Sequence, residues 1–123
     1  MQCPKCQHLM KAVTAQDITL HRCIDCLGMW FDAADHEALC EQAVEIDIGD
    51  TDYAAHHVGQ SKILCPACAN SPMIAMVDAA QPHIRFESCT ICFGRYYDAG
   101  EYRDFAEHGL DEFLRNLFSP ARA

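Results

Sequence analysis

The sequence predicts a small α+β fold written twice: two tandem β-ribbons, each followed by a helix, with an extra amphipathic helix at the C-terminus. Three observations predict it. The segment CIDCLGMWFDAAD at residues 23–35 returns as CTICFGRYYDAGE at residues 89–101, sixty-six positions on. Each copy is preceded by another cysteine pair, CPKC at residues 3–6 and CPAC at residues 65–68. Between the pairs lie KAVTAQDITLHRC and MIAMVDAAQPHIRFESC. There Val13, Ile18 and Leu20, and then Ile74, Met76, Ile84 and Phe86, show the partial two-residue alternation of a strand hairpin.

The cysteines set the chemistry. Cys3 and Cys6 precede Cys23 and Cys26 by a gap of 16 residues, and Cys65 and Cys68 precede Cys89 and Cys92 by a gap of 20. Two Cys-x₂-Cys pairs at this separation are the pattern of a four-thiolate zinc site. Each pair sits on a tight turn that points both sulfurs inward, and the hairpin brings two turns together to complete a tetrahedron. Pro4, Pro66, Gly28 and Gly94 fall at these turns, where a fixed or positive φ helps. Units of roughly 60 residues are too short to be held by an apolar core alone. Two structural Zn²⁺ ions, each held by four cysteines, are therefore expected, with iron as the minor alternative. A redox dithiol would need one such pair beside a βαβ pattern that is absent here. A catalytic zinc needs an open coordination position, so no catalytic residue is assigned.

After each second pair a helix is expected, from about Ala33 to Ala43 and from Ala99 to near His108. Asp98 with Glu101 has the form of a capping box, and Asp32 with Asp35 a weaker version. His36, Leu39, Cys40 and Ala43 match Tyr102, Phe105, Ala106 and Gly109 at helical spacing. Cys40 thus occupies the place of Ala106 and reads as a small buried side chain. The chain then divides into ribbon and helix (1–43), an acidic connector (44–62), a second ribbon and helix (63–109), and a C-terminal helix and tail (110–123). Val44, Ile46 and Ile48 suggest a short strand in the connector. Leu110, Phe113, Leu114, Leu117 and Phe118 form an apolar stripe ending near Pro120.

With these residues aligned, both units resemble the small bacterial zinc ribbons named for the zinc ribbon of transcription factor IIB. That pattern is CPxC, then Cys-x₂-Cys-x-Gly-x-Trp-x-Asp-x-Gly-Glu. Unit one carries Cys3, Pro4, Cys6, Cys23, Cys26, Gly28, Trp30 and Asp32, with Ala34 and Asp35 in place of glycine and glutamate. Unit two carries Cys65, Pro66, Cys68, Cys89, Cys92, Gly94, Asp98, Gly100 and Glu101, with Tyr96 in place of tryptophan. The resemblance implies the eight metal ligands and a zinc-stabilised ribbon fold. The transcription role in the family name does not carry over, because one fold hosts many functions.

Charge narrows the partners. The chain carries −9, and two zinc sites of four thiolates each would take it to about −13. Such a charge disfavours a grip on phosphates. The nine basic residues are scattered, with Lys5, Arg22 and Arg95 beside the cysteines. Seven histidines, among them His8, His21, His36 and the pair His56-His57, read as surface groups or as neighbours of filled sites. Trp30, Phe31, Tyr96 and Tyr97 read as covers for the metal turns. The expectation is a soluble cytoplasmic, non-enzymatic protein that docks a protein partner or itself, with no signal segment and no membrane span. The alternatives are nucleic-acid binding, as the family name suggests, and zinc handling or redox sensing through Cys40 or the ribbon thiolates.

Overall fold

The computed structural model describes residues 1–49, 63–68 and 71–107. Its strands are β1 (Met10–Ala15), β2 (Ile18–Cys23), β3 (Met29–Phe31), β4 (Met73–Val77), β5 (Arg85–Cys89) and β6 (Arg95–Tyr97). They form one antiparallel sheet in the order β1-β2-β3-β6-β5-β4. The two ribbons are therefore the two halves of a single sheet. Both halves use the same register: His21 faces Trp30 and Arg22 faces Met29, while Glu87 faces Tyr96 and Ser88 faces Arg95. Across the seam Trp30 pairs with Tyr96, its own counterpart in the repeat, flanked by Met29 with Tyr97 and Phe31 with Arg95. Like pairing with like across an antiparallel seam is what an internal two-fold axis produces, as in a symmetric dimer interface.

Strand alternation gives the sheet two different faces. One carries Leu20, Met29, Phe31, Phe86 and Tyr97, covered by Leu39, Ala43, Ile46, Tyr102 and Ala106. Its centre is a cluster of rings, with Phe31 4.4 Å from Tyr102 and edge-on to Tyr97 at 5.9 Å. Such edge and offset contacts add to the area buried. The opposite face holds Trp30 and Tyr96 together with Met10, Met73 and the paired cysteines. Helices cover one side of the sheet and the cysteine sites the other.

Helical structure is sparser than the sequence suggests, and the described residues are mostly antiparallel sheet. The expected helix from Ala33 to Ala43 is broken into α1 (Asp35–Ala38), a 3-10 turn (Cys40–Gln42) and α2 (Ala43–Ile46). Val44 and Ile46 lie in α2, which replaces the connector strand expected there. Neither capping box forms. The Asp32 carboxylate accepts a hydrogen bond from Trp30 Nε1, the Asp98 carboxylate accepts from Lys5 Nζ, and α1 begins without a side-chain cap. Residues 101–107 are helical. Their N-terminus is capped by Asp47, the residue that follows α2. The amides of Gly100 and Arg103 donate to its two carboxylate oxygens at 3.0 and 2.8 Å, and Arg103 Nη1 donates to its carbonyl. The matched faces hold in part: His36, Leu39, Ala43, Tyr102 and Ala106 are buried, whereas Cys40 is half-buried with its Sγ 3.5 Å from the His36 carbonyl. The C-terminal stripe and His56-His57 lie outside the described residues.

Candidate metal centre

Each ribbon folds its two Cys-x₂-Cys turns onto one another. The amide of Cys23 donates to the Gly28 carbonyl, and that of Cys89 to Gly94, closing the second turn of each unit. The amide of Cys3 donates to the His8 carbonyl, and that of Cys65 to Ser71, closing the first. The result gathers Cys3, Cys6, Cys23 and Cys26 in one cluster and Cys65, Cys68, Cys89 and Cys92 in another, with all sulfurs of a cluster within 4.8 Å of one another. All eight sequence-predicted ligands are brought together in this way.

The donor sets fit a tetrahedral metal. Four sulfurs about 2.3 Å from a zinc ion stand about 3.8 Å apart. Cys3 and Cys26 are 3.7 Å apart, Cys65 and Cys92 3.7 Å, and Cys6 and Cys23 3.3 Å. Backbone amides aim at the sulfurs as they do where thiolate charge must be offset: Asp25 and Cys26 donate to Cys23, Cys68 to Cys65, and Ile91 to Cys89. The hydrogen bond from Cys26, followed by those from Tyr96 and nearby amides, brings the Cys3 thiol down to about 4 against its burial. Burial pushes Cys89 up, but the Ser71 hydroxyl and the amides of Cys92 and Ile91 outweigh it and bring it to about 6. Burial lifts Cys6 to about 11 and Cys65 to about 12. Metal binding draws off the protons that the thiols still hold.

The first site is finished by the other ribbon. Tyr96 of unit two lays its hydroxyl 3.3 Å from Cys3 Sγ and 3.2 Å from Cys26 Sγ. Trp30 of unit one lies in the same way over the Gly94 turn. This corrects the expected role of the two glycines. Positive φ falls on Leu27 and Phe93, one residue earlier, not on Gly28 or Gly94. The glycines are needed for clearance: a Cβ on Gly28 would overlap the Tyr96 hydroxyl, and one on Gly94 would overlap the Trp30 ring. The spacing Cys-x-Gly-x-aromatic, present in both copies, is the signal from which this exchange follows once the seam is known.

Residues 2–42 match the TFIIB-type zinc ribbon, a transcription factor zinc-finger family. The match covers about a third of the chain. Neither a curated protein nor a solved structure matches the chain. The ribbon of residues 2–42 and the second cysteine cluster together provide two sites that fit two structural zinc ions.

The charged neighbours serve the seam between ribbons. Lys5, inside the CPKC turn of unit one, places Nζ 2.7 Å from both Glu87 and Asp98 of unit two. Its ammonium is held above the usual lysine range: burial lowers it, but the two carboxylates raise it more. Burial dominates at Glu87, whose carboxyl sits above its ordinary value despite Lys5. His8 is exposed and lies 3.5 Å from Asp25, and with Cys6 these two form a third grouping that shares a sulfur with the first site. His36 turns Nδ1 to the Ala33 carbonyl, 3.1 Å away, and its ring packs near Tyr97 and Phe105. Sequence reasoning missed Asp47, whose only signal was an acid after the apolar pair Ala43 and Ile46.

Proposed function

We propose that this is a non-enzymatic tandem zinc-ribbon protein in which two structural zinc ions hold one sheet rigid as a docking surface for a protein partner. The observation that carries the reading is the apolar tips of the metal turns. Ile24 and Ile91, 59 and 67 % exposed, lie between ligand cysteines of the second turns, and Leu9, 63 % exposed, is tied to Ile24 by a backbone hydrogen bond. Large apolar side chains on a rigid support are what a protein partner buries. Four thiolates leave zinc no open position for a substrate or water, which favours a structural role. Zinc is preferred to iron because two Cys-x₂-Cys pairs at this separation, closed into a four-sulfur set, are the pattern of a structural zinc site.

The basic side chains argue against the nucleic-acid alternative. Lys5 is held by Glu87 and Asp98, Arg22 donates to the Ile46 carbonyl, Arg95 lies over Phe86, and Arg103 donates to Asp47. Phosphate binding needs cations free to replace counterions.

The test has three readouts. Native mass spectrometry of freshly purified protein is expected to show two zinc ions per chain, and an iron-loaded species would overturn the metal assignment. In-cell crosslinking is expected to capture a protein partner that is lost when Leu9, Ile24 and Ile91 are replaced by aspartate, with metal content unchanged. Fluorescence anisotropy with labelled DNA and RNA at low salt is expected to show no binding. Affinity that falls steeply with salt would transfer the function to the nucleic-acid reading.

A further inference from the structure

The internal two-fold axis makes each unit a template for the other, and one difference between them stands out. In unit one, the chain leaving the helical region runs between its own ribbon and the helix start of unit two. Arg22 Nη1 donates to the Ile46 carbonyl at 2.8 Å, and a Cβ on Gly49 would lie 2.4 Å from the Ala99 Cβ and 3.1 Å from the Leu27 Cβ. Ile46 is buried there and Leu27 is half-covered. The counterpart of Leu27 in unit two is Phe93, which is 66 % exposed. Beside it, at the open edge of the sheet, Ile74 and Met76 of β4 are 48 and 41 % exposed. With Ser88 and Arg95 these three line a groove of about 320 Å³ on the helix-bearing face.

The repeat offset gives the unit-two counterpart, in sequence, of the chain that covers unit one. The shift of sixty-six that maps Leu27 to Phe93 and His36 to Tyr102 maps Ile46–Gly49 onto residues 112–115, Glu-Phe-Leu-Arg. Those residues sit in the apolar stripe Leu110, Phe113, Leu114, Leu117 and Phe118. The described chain ends at residue 107, beside the β4–β5 hairpin, where Gln81 Nε2 donates to the Phe105 carbonyl. A segment leaving there has the same number of residues to reach Phe93 as unit one has to reach Leu27. The symmetry also accounts for a substitution. Asp47, which caps the 101–107 helix, maps onto Phe113, so the equivalent position offers a ring instead of a carboxylate.

We propose that residues 110–118 of this chain fill the groove formed by Ile74, Met76 and Phe93, as the counterpart of the cover that residues 46–49 form over unit one. The occupant is the chain's own segment, in contrast to the exposed metal-turn tips, which remain free for a partner.

The test is photocrosslinking in the full-length, zinc-loaded protein. Phe113, and in a second protein Leu117, is replaced by benzoylphenylalanine, and isotopically heavy and light chains are mixed before irradiation. The expected result is a crosslink to residues 74–76 or to Phe93 within one chain, lost in the Phe93→Asp variant while zinc content stays the same. Phe93 is exposed, so that substitution leaves the core intact. Heavy-to-light crosslinks would assign the groove to a second copy and overturn the proposal. Crosslinks mapping elsewhere, or none at either position, would overturn it as well.

Discussion

At the residue scale, the most demanding positions are the two glycines at the seam. Gly28 gives up its side chain to the Tyr96 hydroxyl and Gly94 gives up its own to Trp30, and both aromatics are fully buried. Alanine at either position forces a buried ring to move in a packed core, which costs about 1–3 kcal/mol. Urea unfolding of the zinc-loaded Gly28→Ala and Gly94→Ala proteins should show that loss in both; an unchanged midpoint would contradict the exchange of aromatics across the seam. His36 supplies a pH test. Burial, with Arg95 nearby, holds its imidazole below the ordinary histidine value of 6.5, only partly offset by the Ala33 carbonyl and then by Glu37 and Asp78. The native state therefore binds that proton at lower pH than the unfolded chain. Its stabilising contribution is complete above about pH 6.5 and is lost as pH falls toward the folded value. Unfolding of zinc-saturated wild type between pH 7.5 and 5.5 should lose stability that the His36→Phe variant retains. Parallel profiles for the two proteins would exclude a neutral buried imidazole.

At the element scale, the helical segments show which parts of the fold were legible in the sequence and which were not. The eight cysteines and the strand hairpins were legible because metal spacing and two-residue alternation are local signals, read within about twenty residues. The start of the 101–107 helix was not, because its cap comes from Asp47, 53 residues before Gly100 in the chain. Asp98 looked like the local N-cap but was taken by Lys5 from the opposite ribbon. Asp32 was taken in the same way by the indole of Trp30. A carboxylate two or three residues from a helix start reads as a cap only while its other possible partners are unseen. The first helix illustrates the reverse: without a cap it breaks into α1, a 3-10 turn and α2, although its apolar spacing matches that of its counterpart. Asp47→Ala would leave two helix-start amides without acceptors in a buried setting, at about 1–3 kcal/mol for each unsatisfied group. The expected outcome is a lower urea midpoint with faster amide exchange confined first to residues 100–107. Exchange that rises evenly across the sheet would show that Asp47 acts on overall stability and does not cap this helix.

At the scale of the whole molecule, the decisive feature is that neither ribbon closes its own core and that the first metal site is covered from the other ribbon. β3 and β6 are three residues each, yet every residue of β3 is buried and two of the three in β6 are as well. A strand that short has its two faces covered only because the sheet continues through it. Tyr96 touches the sulfurs of Cys3 and Cys26 from the other unit, and Lys5 ties the first CPKC turn to Glu87 and Asp98. Structural zinc contributes on the order of 10–16 kcal/mol to folding a small ribbon, so the loss of one ion unfolds the turns it holds. Here those turns carry contacts that the other site depends on. The two metals are therefore expected to be coupled through the seam. Replacing Cys89 and Cys92 with serine removes the second site while leaving all four ligands of the first. Chelator titration followed by native mass spectrometry should then find the remaining zinc released at a concentration lower by roughly 5–150-fold, the usual range for coupled sites. Wild type should lose both ions in one transition with no lasting one-zinc species. If the first site instead keeps its zinc as tightly as in wild type, each ribbon folds around its own ion, and the shared sheet adds contact without cooperation.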